Sequence, residues 1–315
     1  MKNETIIDFN DIELVDDVFY GGEAGAKDGI VYRGELWMLK YPKSTRSMNN
    51  PQISYTTSPL SEYIGSKIYA SLGIPVHETL LGHRRGKIVV ACKDFLYDGM
   101  TMSSRLVPFN ELKNSFMASD ISSYSGSGSN TLLQEVLDTI SGQRVLRRLD
   151  VALPRFWDMF IIDAFIGNND RNNGNWGILI NISTGEASLA PVYDNGAAFF
   201  NKRSISQMSA RMNNEKEMRD DAYGTPTCVY QYTGLDNEGH RIKPFDYIKE
   251  TNNVDCKAAL RRFCEAVDMN AINCIIDDIP ESIGNLAIMP QIQKDFYQKM
   301  MRLRLDEVFI PTADH

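Results

Sequence analysis

The segment Asp170-Arg171-Asn172-Asn173-Gly174-Asn175 and the later Asp194 carry the side chains of this chain that best fit a defined chemistry. In phosphoryl transfer the protein takes part in little covalent chemistry and acts mainly by positioning groups. A carboxylate orients the acceptor hydroxyl, while carboxylate and amide oxygens hold Mg²⁺. Asp170 suits the first role, and Asn175 with Asp194 suits the second. The spacing therefore predicts a phosphoryl-transfer site.

The flanking sequence predicts elements that position these three side chains. Apolar residues recur at three- and four-residue spacing over residues 154–166, which predicts a helix with one buried face. Residues 176–181 and 187–193 read as two strands joined by a turn. A hairpin of that size brings Asn175 and Asp194 to the same end, so both can reach one cation. Taken alone, residues 170–175 also have the composition of an ordinary polar turn.

A glycine-rich segment near the N-terminus predicts a phosphate-binding loop. It lies between a strand-like stretch over residues 12–20 and a hairpin over residues 30–41. Small residues let backbone amides approach phosphates. The candidate nucleotide-binding residues of this segment are Gly21, Gly22, Gly25, Ala26 and Lys27.

Lys40 is the expected cation beneath that loop. Strand alternation sends Trp37 and Leu39 to one face and Met38 and Lys40 to the other, so the ammonium group points into a cleft. An exposed strand lysine would show the same local pattern.

Glu62 is the candidate acidic partner of Lys40. Ser58 and Pro59 predict the N-cap and first turn of a helix that extends to Leu72. Glu62 lies off the apolar stripe of this helix. Two positions remain open for it, the cleft or a solvated first turn favoured by the helix dipole.

A buried strand over residues 87–95 predicts the hinge that would meet adenine. The backbone groups near Lys93, Asp94 and Phe95 stand at its end. These residues complete the candidate nucleotide site.

Taken together, these motifs resemble the HipA-like serine/threonine kinases, and in particular the short CtkA-type members. The likeness rests on Gly25-Ala26-Lys27, Lys40, the segment from Tyr55 to Gly65, the strand at residues 89–95, and the run Ile166 to Asn175 followed by Pro191-Val192-Tyr193-Asp194. It covers roughly residues 19–200 with specific motifs.

The resemblance implies an α+β, two-lobed, protein-kinase-like fold: a small antiparallel β lobe with one helix, and a larger, mainly helical lobe. It also implies ATP with Mg²⁺ and transfer to Ser or Thr, either of a protein substrate or of the enzyme itself in an autophosphorylation reaction. Lys40 would bind the phosphates, Asp170 would act as the base, and Asn175 with Asp194 would bind the metal.

Two features depart from the HipA pattern. HipA proteins have an additional N-terminal subdomain that engages an antitoxin, whereas this chain begins almost directly with the small lobe, which argues against an antitoxin partner. The HipA regulatory serine lies near the glycine loop, but residues 21–27 here contain no Ser or Thr. An identical autophosphorylation switch is not expected.

Composition agrees with a cytoplasmic enzyme of two lobes, which we place at residues 1–97 and 98–315. The chain has 315 residues, 43% hydrophobic content and a net charge of −8. This charge argues against nucleic acid as a partner and is compatible with a basic protein substrate. Neither a signal peptide nor a membrane span is apparent, and the five cysteines show no pairing pattern. Secretion by a signal-independent route would leave no mark in the sequence.

Two other functions fit parts of the pattern. The run Gly167-Asn168-Asn169-Asp170-Arg171 with Asn175 also resembles the catalytic loop of phosphoinositide kinases, so a lipid or small-molecule acceptor is one alternative. Against it, the sequence shows no obvious basic cluster for inositol phosphates. The second alternative is a kinase-fold binding protein without catalysis, although all three chemical positions are intact.

Overall fold

A computed structural model describes residues 6–16, 18, 20–21, 26–49, 51–119, 122, 124, 126–235 and 238–314. Its N-terminal part comprises β1 (Ile7–Asp8), β2 (Leu14–Val15), β3 (Lys27–Tyr32), β4 (Glu35–Lys40), α1 (Ser58–Ser71), β5 (Thr79–Arg84) and β6 (Lys87–Lys93). The strands form one sheet in the order β1-β5-β6-β4-β3-β2. Neighbouring strands are antiparallel except β1 and β5, which are parallel.

The two faces of β4 differ as its alternating sequence predicts. Trp37 and Leu39 lie in a small apolar cluster with Phe9, Ile30 and Val89 on one side of the sheet. Lys40 lies on the opposite side, which α1 partly covers. The alternation therefore carries the ammonium group to the helix side of the sheet.

Helix α1 begins one residue earlier than the predicted cap implies. Thr57 is the N-cap and makes no side-chain capping bond, while Ser58 is already helical and Pro59 occupies the first turn. The chain leaves the helix through Gly73, whose φ of 73° favours glycine. The predicted helix was thus correct in type, and both of its ends lie one residue earlier than predicted.

The remaining elements are mainly helical. They are β7 (Tyr97–Asp98), β8 (Thr101–Met102), β9 (Ser104–Pro108), α2 (Phe109–Met117), α3 (Leu133–Gly142), α4 (Ala152–Ile166), β10 (Gly177–Asn181), β11 (Ala187–Leu189), α5 (Ile205–Met212), α6 (Glu215–Arg219), β12 (Gln231–Thr233), β13 (Gly239–Arg241), α7 (Pro244–Glu250), α8 (Val254–Ala266), α9 (Met269–Asp277), β14 (Ser282–Ile283), β15 (Leu286–Ala287), α10 (Gln291–Arg304) and α11 (Ile310–Ala313). A 3₁₀ turn at Leu146–Arg148 and π-helical turns at Asp220–Gly224 and Leu305–Phe309 connect some of them.

Helix α4 is the central element of this helical part. Eleven of its fifteen residues are buried, so its sequence is apolar around most of the circumference rather than along one stripe. It ends at Gly167, which has a left-handed φ of 72°. This ending turns the chain sharply into the loop that contains Asp170.

Some predicted elements are wrong in extent. The stretch 12–20 contains only the two-residue strand β2 among its described residues, and the strand predicted over residues 187–193 ends at Leu189. Short amphipathic segments with few apolar residues carry too little periodic signal for sequence analysis. Among the helices of the described residues, none has the length and apolarity needed to cross a bilayer.

Candidate active site

A cavity of about 470 Å³ brings six of the twelve candidate site residues together. Its lining residues include Lys27, Lys40, Glu62, Asp170, Asn175 and Asp194. They come from the sheet, from α1, from the loop after α4 and from the segment after β11. Residues far apart in sequence thus converge on one space.

Lys40 lies between two carboxylates in this cavity. Its Nζ is 3.1 Å from Glu62 Oε2 and 3.1 Å from Asp194 Oδ1. Burial by itself would lower the pKa of Lys40, but the negative charges of Glu62 and Asp194 outweigh it and raise the pKa above its ordinary value. The amine is therefore charged over the whole physiological range.

Glu62 faces the cleft and not solvent, with only 1% of its surface exposed. Its Oε1 accepts a hydrogen bond from the Asn195 backbone N–H at 3.1 Å and lies 2.9 Å from His77 Nε2. Burial would raise the pKa of Glu62, yet Lys40 and then His77 hold it below its usual range. The ionised carboxylate is thus fixed by partners on both oxygens.

Glu62, His77 and Cys92 also place one potential metal-ligand atom each within 4.8 Å of one another. Both oxygens of Glu62 are already engaged, however, and burial raises the pKa of the Cys92 thiol. A thiol must lose its proton to bind a metal. This buried cluster therefore serves to hold Glu62 and lacks the character of a metal site.

The loop after α4 exposes Asp170 and fixes its backbone. Asp170 N–H donates to Asn168 Oδ1 at 3.2 Å, and Asn175 Nδ2 donates to the Asp170 carbonyl at 2.7 Å. The latter bond turns Oδ1 of Asn175 away from Asp170, which leaves an amide oxygen as a potential ligand. The Asp170 side chain accepts one bond from Asn172 Nδ2, at 3.1 Å.

A buried ion pair beneath this loop ties it to the metal-ligand segment. Arg171 Nε lies 2.8 Å from Asp163 Oδ2, and both side chains are at most 7% exposed. The same guanidinium donates to the carbonyls of Asn175 and Tyr193 and to Asn195 Oδ1. Arg171 therefore holds the two chain segments that carry Asn175 and Asp194 at a fixed separation.

The segment at Asp194 is held in an uncommon backbone conformation. Asp194 has a φ of 62°, in the left-handed region that Asn and Asp tolerate better than most residues. Beside it, the fully buried Asn195 donates to Ser66 Oγ at 3.0 Å. A Cβ on Gly65 of α1 would lie 2.9 Å from the Cβ of Asn195. Glycine at this helical position therefore permits the close approach of the two segments.

The glycine-rich segment is described only in part. Gly22 and Gly25 lie outside the described residues. Gly21 accepts a bond from Lys27 Nζ at 2.7 Å, and the Ala26 carbonyl accepts from the Tyr41 N–H at 3.1 Å. Burial, followed by the nearby charge of Lys40, lowers the pKa of Lys27. Lys27 thus adds a second cation to the cavity.

Lys93 and Phe95 are not among the described residues that line this cavity. Lys93 Nζ pairs with Glu35 Oε1 at 2.6 Å, and its N–H donates to the Glu78 carbonyl. The ring of Phe95 packs against Tyr193 at a centroid distance of 5.7 Å. An adenine-binding role for these two residues stays a prediction.

Sequence reasoning missed several residues that hold the site. They are Asp163, His77, Asn195, Ser66, Gly65 and Tyr69, whose hydroxyl donates to Asp163 Oδ1 at 2.9 Å. One signal was available, since a glycine inside an amphipathic helix often marks a close contact. The other partners lack a local pattern that would link them to the site residues.

Comparison with known proteins decides the family. Residues 23–271 match the sequence family described as the HipA-like C-terminal domain. The chain belongs to the HipA-like family. It is also 35% identical over 302 residues to the serine/threonine-protein kinase CtkA of Helicobacter pylori strain J99, covering 96% of this chain and 86% of that protein. The chain is therefore a kinase homologous to CtkA, which confirms the family inferred from the motifs.

Solved structures of this family confirm the predicted α+β, two-lobed kinase-like fold. The crystal structure of the H. pylori proinflammatory kinase CtkA matches with a TM-score of 0.85 and 33% identity, covering 98% of this chain and 97% of that one. HipA of Shewanella oneidensis MR-1, solved with HipB and operator DNA, matches with a TM-score of 0.56 and 11% identity, covering 96% and 70%. The HipA match shows a shared fold alone.

Proposed function

We propose that this HipA-like kinase transfers the γ-phosphoryl group of ATP, in the presence of Mg²⁺, to Ser or Thr hydroxyls of a protein substrate. The observation that carries the proposal is the convergence of Lys40, Asp170, Asn175 and Asp194 on one cavity. A cation, a base candidate and two oxygen donors are the parts that phosphoryl transfer requires.

The nucleotide side of the site contains the groups that would hold ATP and magnesium. Lys40 offers an ammonium group held by Glu62, and Lys27 offers a second positive charge. Asn175 Oδ1 and the Asp194 carboxylate are hard oxygen donors, and Asp194 is 28% exposed at its side chain, so the donor set fits Mg²⁺. When bound, the ion would neutralise phosphate charge and orient the phosphates.

Asp170 is the proposed base. Its exposed carboxylate lines the cavity, where the acceptor hydroxyl can donate a hydrogen bond to it. The hydroxyl oxygen forms a bond to the γ-phosphorus, the bond from that phosphorus to the ADP oxygen breaks, and the hydroxyl proton passes to Asp170. Correct positioning supplies much of the acceleration in such reactions.

The setting we propose is the cytoplasm. All five cysteines are free thiols, as expected in a reducing compartment. The net charge of −8 disfavours a nucleic-acid partner, and the proposal includes no antitoxin.

Transfer of labelled γ-phosphate from Mg-ATP to the protein itself and to added protein acceptors tests the proposal. Wild type should transfer label, and Asp170→Asn and Asp194→Asn should each lose most of it. Asn tolerates the left-handed backbone at residue 194, so the second change removes charge with little added strain. A wild-type protein that binds neither ATP nor its analogues would refute the proposal and favour a binding protein.

A further inference from the structure

A second cavity, of about 730 Å³, also has Asp170 in its lining. It shares Asp170, Ala197, Asn201 and Lys202 with the cavity of about 470 Å³ that contains Lys40, which we call the nucleotide cavity, so the two spaces meet at the proposed base. An acceptor must approach Asp170 from a side that the nucleotide does not fill. We call this second space the acceptor cavity.

The charged residues that line the acceptor cavity are mostly basic. They are Arg171, Lys202, Arg203, Arg241 and Arg304, against the two carboxylates of Asp163 and Asp170. Ion pairs neutralise part of this charge. Arg171 pairs with Asp163 at 2.8 Å, and Arg203 forms a two-bonded pair with Asp221 at 2.5 and 3.1 Å.

The other three cations are not neutralised in this way. Lys202 and Arg241 are exposed, and neither forms an ion pair with any described residue. Arg304 is fully buried and donates to the carbonyls of Ala222 and Phe165, at 2.6 and 2.8 Å. Its Nη2 has no hydrogen-bond partner among the described residues. Positive charge therefore remains uncompensated on this side of Asp170.

The same cavity has apolar and aromatic walls. Its lining includes Phe160, Phe200, Val229, Tyr230 and Phe245. Such walls suit the side chains and backbone of an extended peptide better than a freely hydrated polyanion. The combination of basic rim and apolar wall distinguishes a protein acceptor from a phosphate-rich one.

We propose that the acceptor cavity binds an acidic segment of the protein substrate. In this segment, Asp or Glu residues flank the Ser or Thr whose hydroxyl donates a hydrogen bond to Asp170. The inference rests on the proposed function and adds the class of acceptor. The charges near the cavity decide which peptide it prefers, because charges farther apart than about 8 Å are largely screened at physiological salt. The net charge of −8, which is compatible with a basic substrate, does not determine what this cavity prefers.

Two synthetic peptides with the same central serine, one flanked by glutamates and one by lysines, test the inference. Binding is measured by fluorescence anisotropy with Mg²⁺ and a nonhydrolysable ATP analogue, and transfer is measured with ATP. We expect about tenfold tighter binding of the glutamate peptide at low salt, and a loss of about fivefold or more in Arg241→Glu. Arg241 lines the acceptor cavity and not the nucleotide cavity, so the KM for ATP should not change.

The matched control is Arg261→Glu, an equal charge change at an exposed residue of α8 that lines neither cavity. It should leave the glutamate preference intact, and Arg241→Lys should retain most of it. Equal affinity for the two peptides, or an Arg241→Glu variant that keeps the full preference, would overturn the inference. Arg241-dependent binding and phosphorylation of phosphoinositide vesicles, without a peptide preference, would overturn it in favour of a lipid headgroup.

The proposed function and the acidic-segment site can fail independently, and the same experiments distinguish the two failures. Absence of transfer to every acceptor, with the glutamate preference still present in binding, would refute the kinase proposal while supporting the acidic-segment site. Transfer without any glutamate preference would do the reverse.

Discussion

The two sides of Asp170 are built in different ways. On the nucleotide side, Lys40 and Glu62 form a pair with side chains 12% and 2% exposed. The buried Asn195 donates to Glu62 and Ser66 and so connects α1 to the segment that carries Asp194. On the acceptor side, Arg241 is exposed and has no ion-pair partner among the described residues.

This difference separates two uses of charge. A buried pair fixes geometry, because the loss of one partner leaves an uncompensated charge in a medium of low polarity. An exposed charge contributes little to stability and remains available to a substrate. The nucleotide side is therefore preorganised, whereas the exposed charge on the acceptor side is available to discriminate between substrates.

The largest effect should come from the buried pair beneath the catalytic loop. Arg171→Ala leaves Asp163 buried without its cation, so the free energy of unfolding should fall by about 3–5 kcal/mol. Arg302→Ala is the control, because its pair with Asp306 spans 3.9 Å and both side chains are about half exposed. That change should cost less than about 1 kcal/mol in urea unfolding. Equal losses in the two variants would break the distinction between the two kinds of charge.

Removal of the Lys40 ammonium should lower the rate of phosphoryl transfer. Lys40→Met should lower kcat/KM for phosphoryl transfer by about 10²–10³-fold, as expected for the loss of one charged donor that stabilises the transition state. Lys216→Met, at an exposed lysine of α6, serves as the control and should retain wild-type transfer. Initial rates at several ATP concentrations separate kcat from KM. Undiminished transfer by Lys40→Met would show that Lys40 does not contribute to phosphoryl transfer.

The uncharged member of the buried network should have a smaller effect. Tyr69→Phe removes the hydroxyl that donates to Asp163 at 2.9 Å, and Asp163 keeps its bonds from Arg171 and Asn168. We expect a loss of about 1–2 kcal/mol in unfolding free energy. The half-exposed Tyr55→Phe should be nearly neutral and is the matched control. No difference between the two variants would show that this hydroxyl does not support the network.

A pH series sharpens the assignment of Glu62. The folded pKa of Glu62 lies below its ordinary value of 4.5, so below pH 4.5 the unfolded chain takes up a proton that the folded chain does not. Stability from this group is thus present above pH 4.5 and lost below it. The advantage of wild type over Glu62→Gln should shrink by up to about 1.4 kcal/mol per pH unit in this range. An advantage that does not change with pH would contradict the Lys40–Glu62 pairing.

The sequence predicted the parts of the site that depend on local pattern. Strand alternation gave the direction of Lys40, and a short hairpin connected Asn175 with Asp194. The position of Glu62 stayed open, because an acidic residue near a helix N-terminus has the same local pattern in the cleft and in solvent. In the structure Glu62 lies beyond the first turn of α1, so the first-turn position is wrong. The structure resolves it through contacts with Lys40, His77 and Asn195.

Contacts between distant segments were not predictable in this way. Arg171 meets Asn195, 24 positions away, and Gly65 meets Asn195, 130 positions away in the chain. Such pairs depend on how α1, α4 and the segment after β11 pack, and a single sequence does not encode that packing in a local motif. The same reason explains why the basic acceptor cavity, assembled from five separate parts of the helical lobe, was missed.

Binding of a nonhydrolysable ATP analogue by calorimetry, with and without Mg²⁺, tests most directly whether Asp170 separates two distinct functions. Wild type and Asp170→Asn should bind the analogue with similar affinity in Mg²⁺, because Asp170 acts on the acceptor hydroxyl. Asp194→Asn should lose most of the gain in affinity that Mg²⁺ provides. Equal loss of nucleotide binding in both variants, or Mg²⁺-dependent binding that survives in Asp194→Asn, would contradict the account.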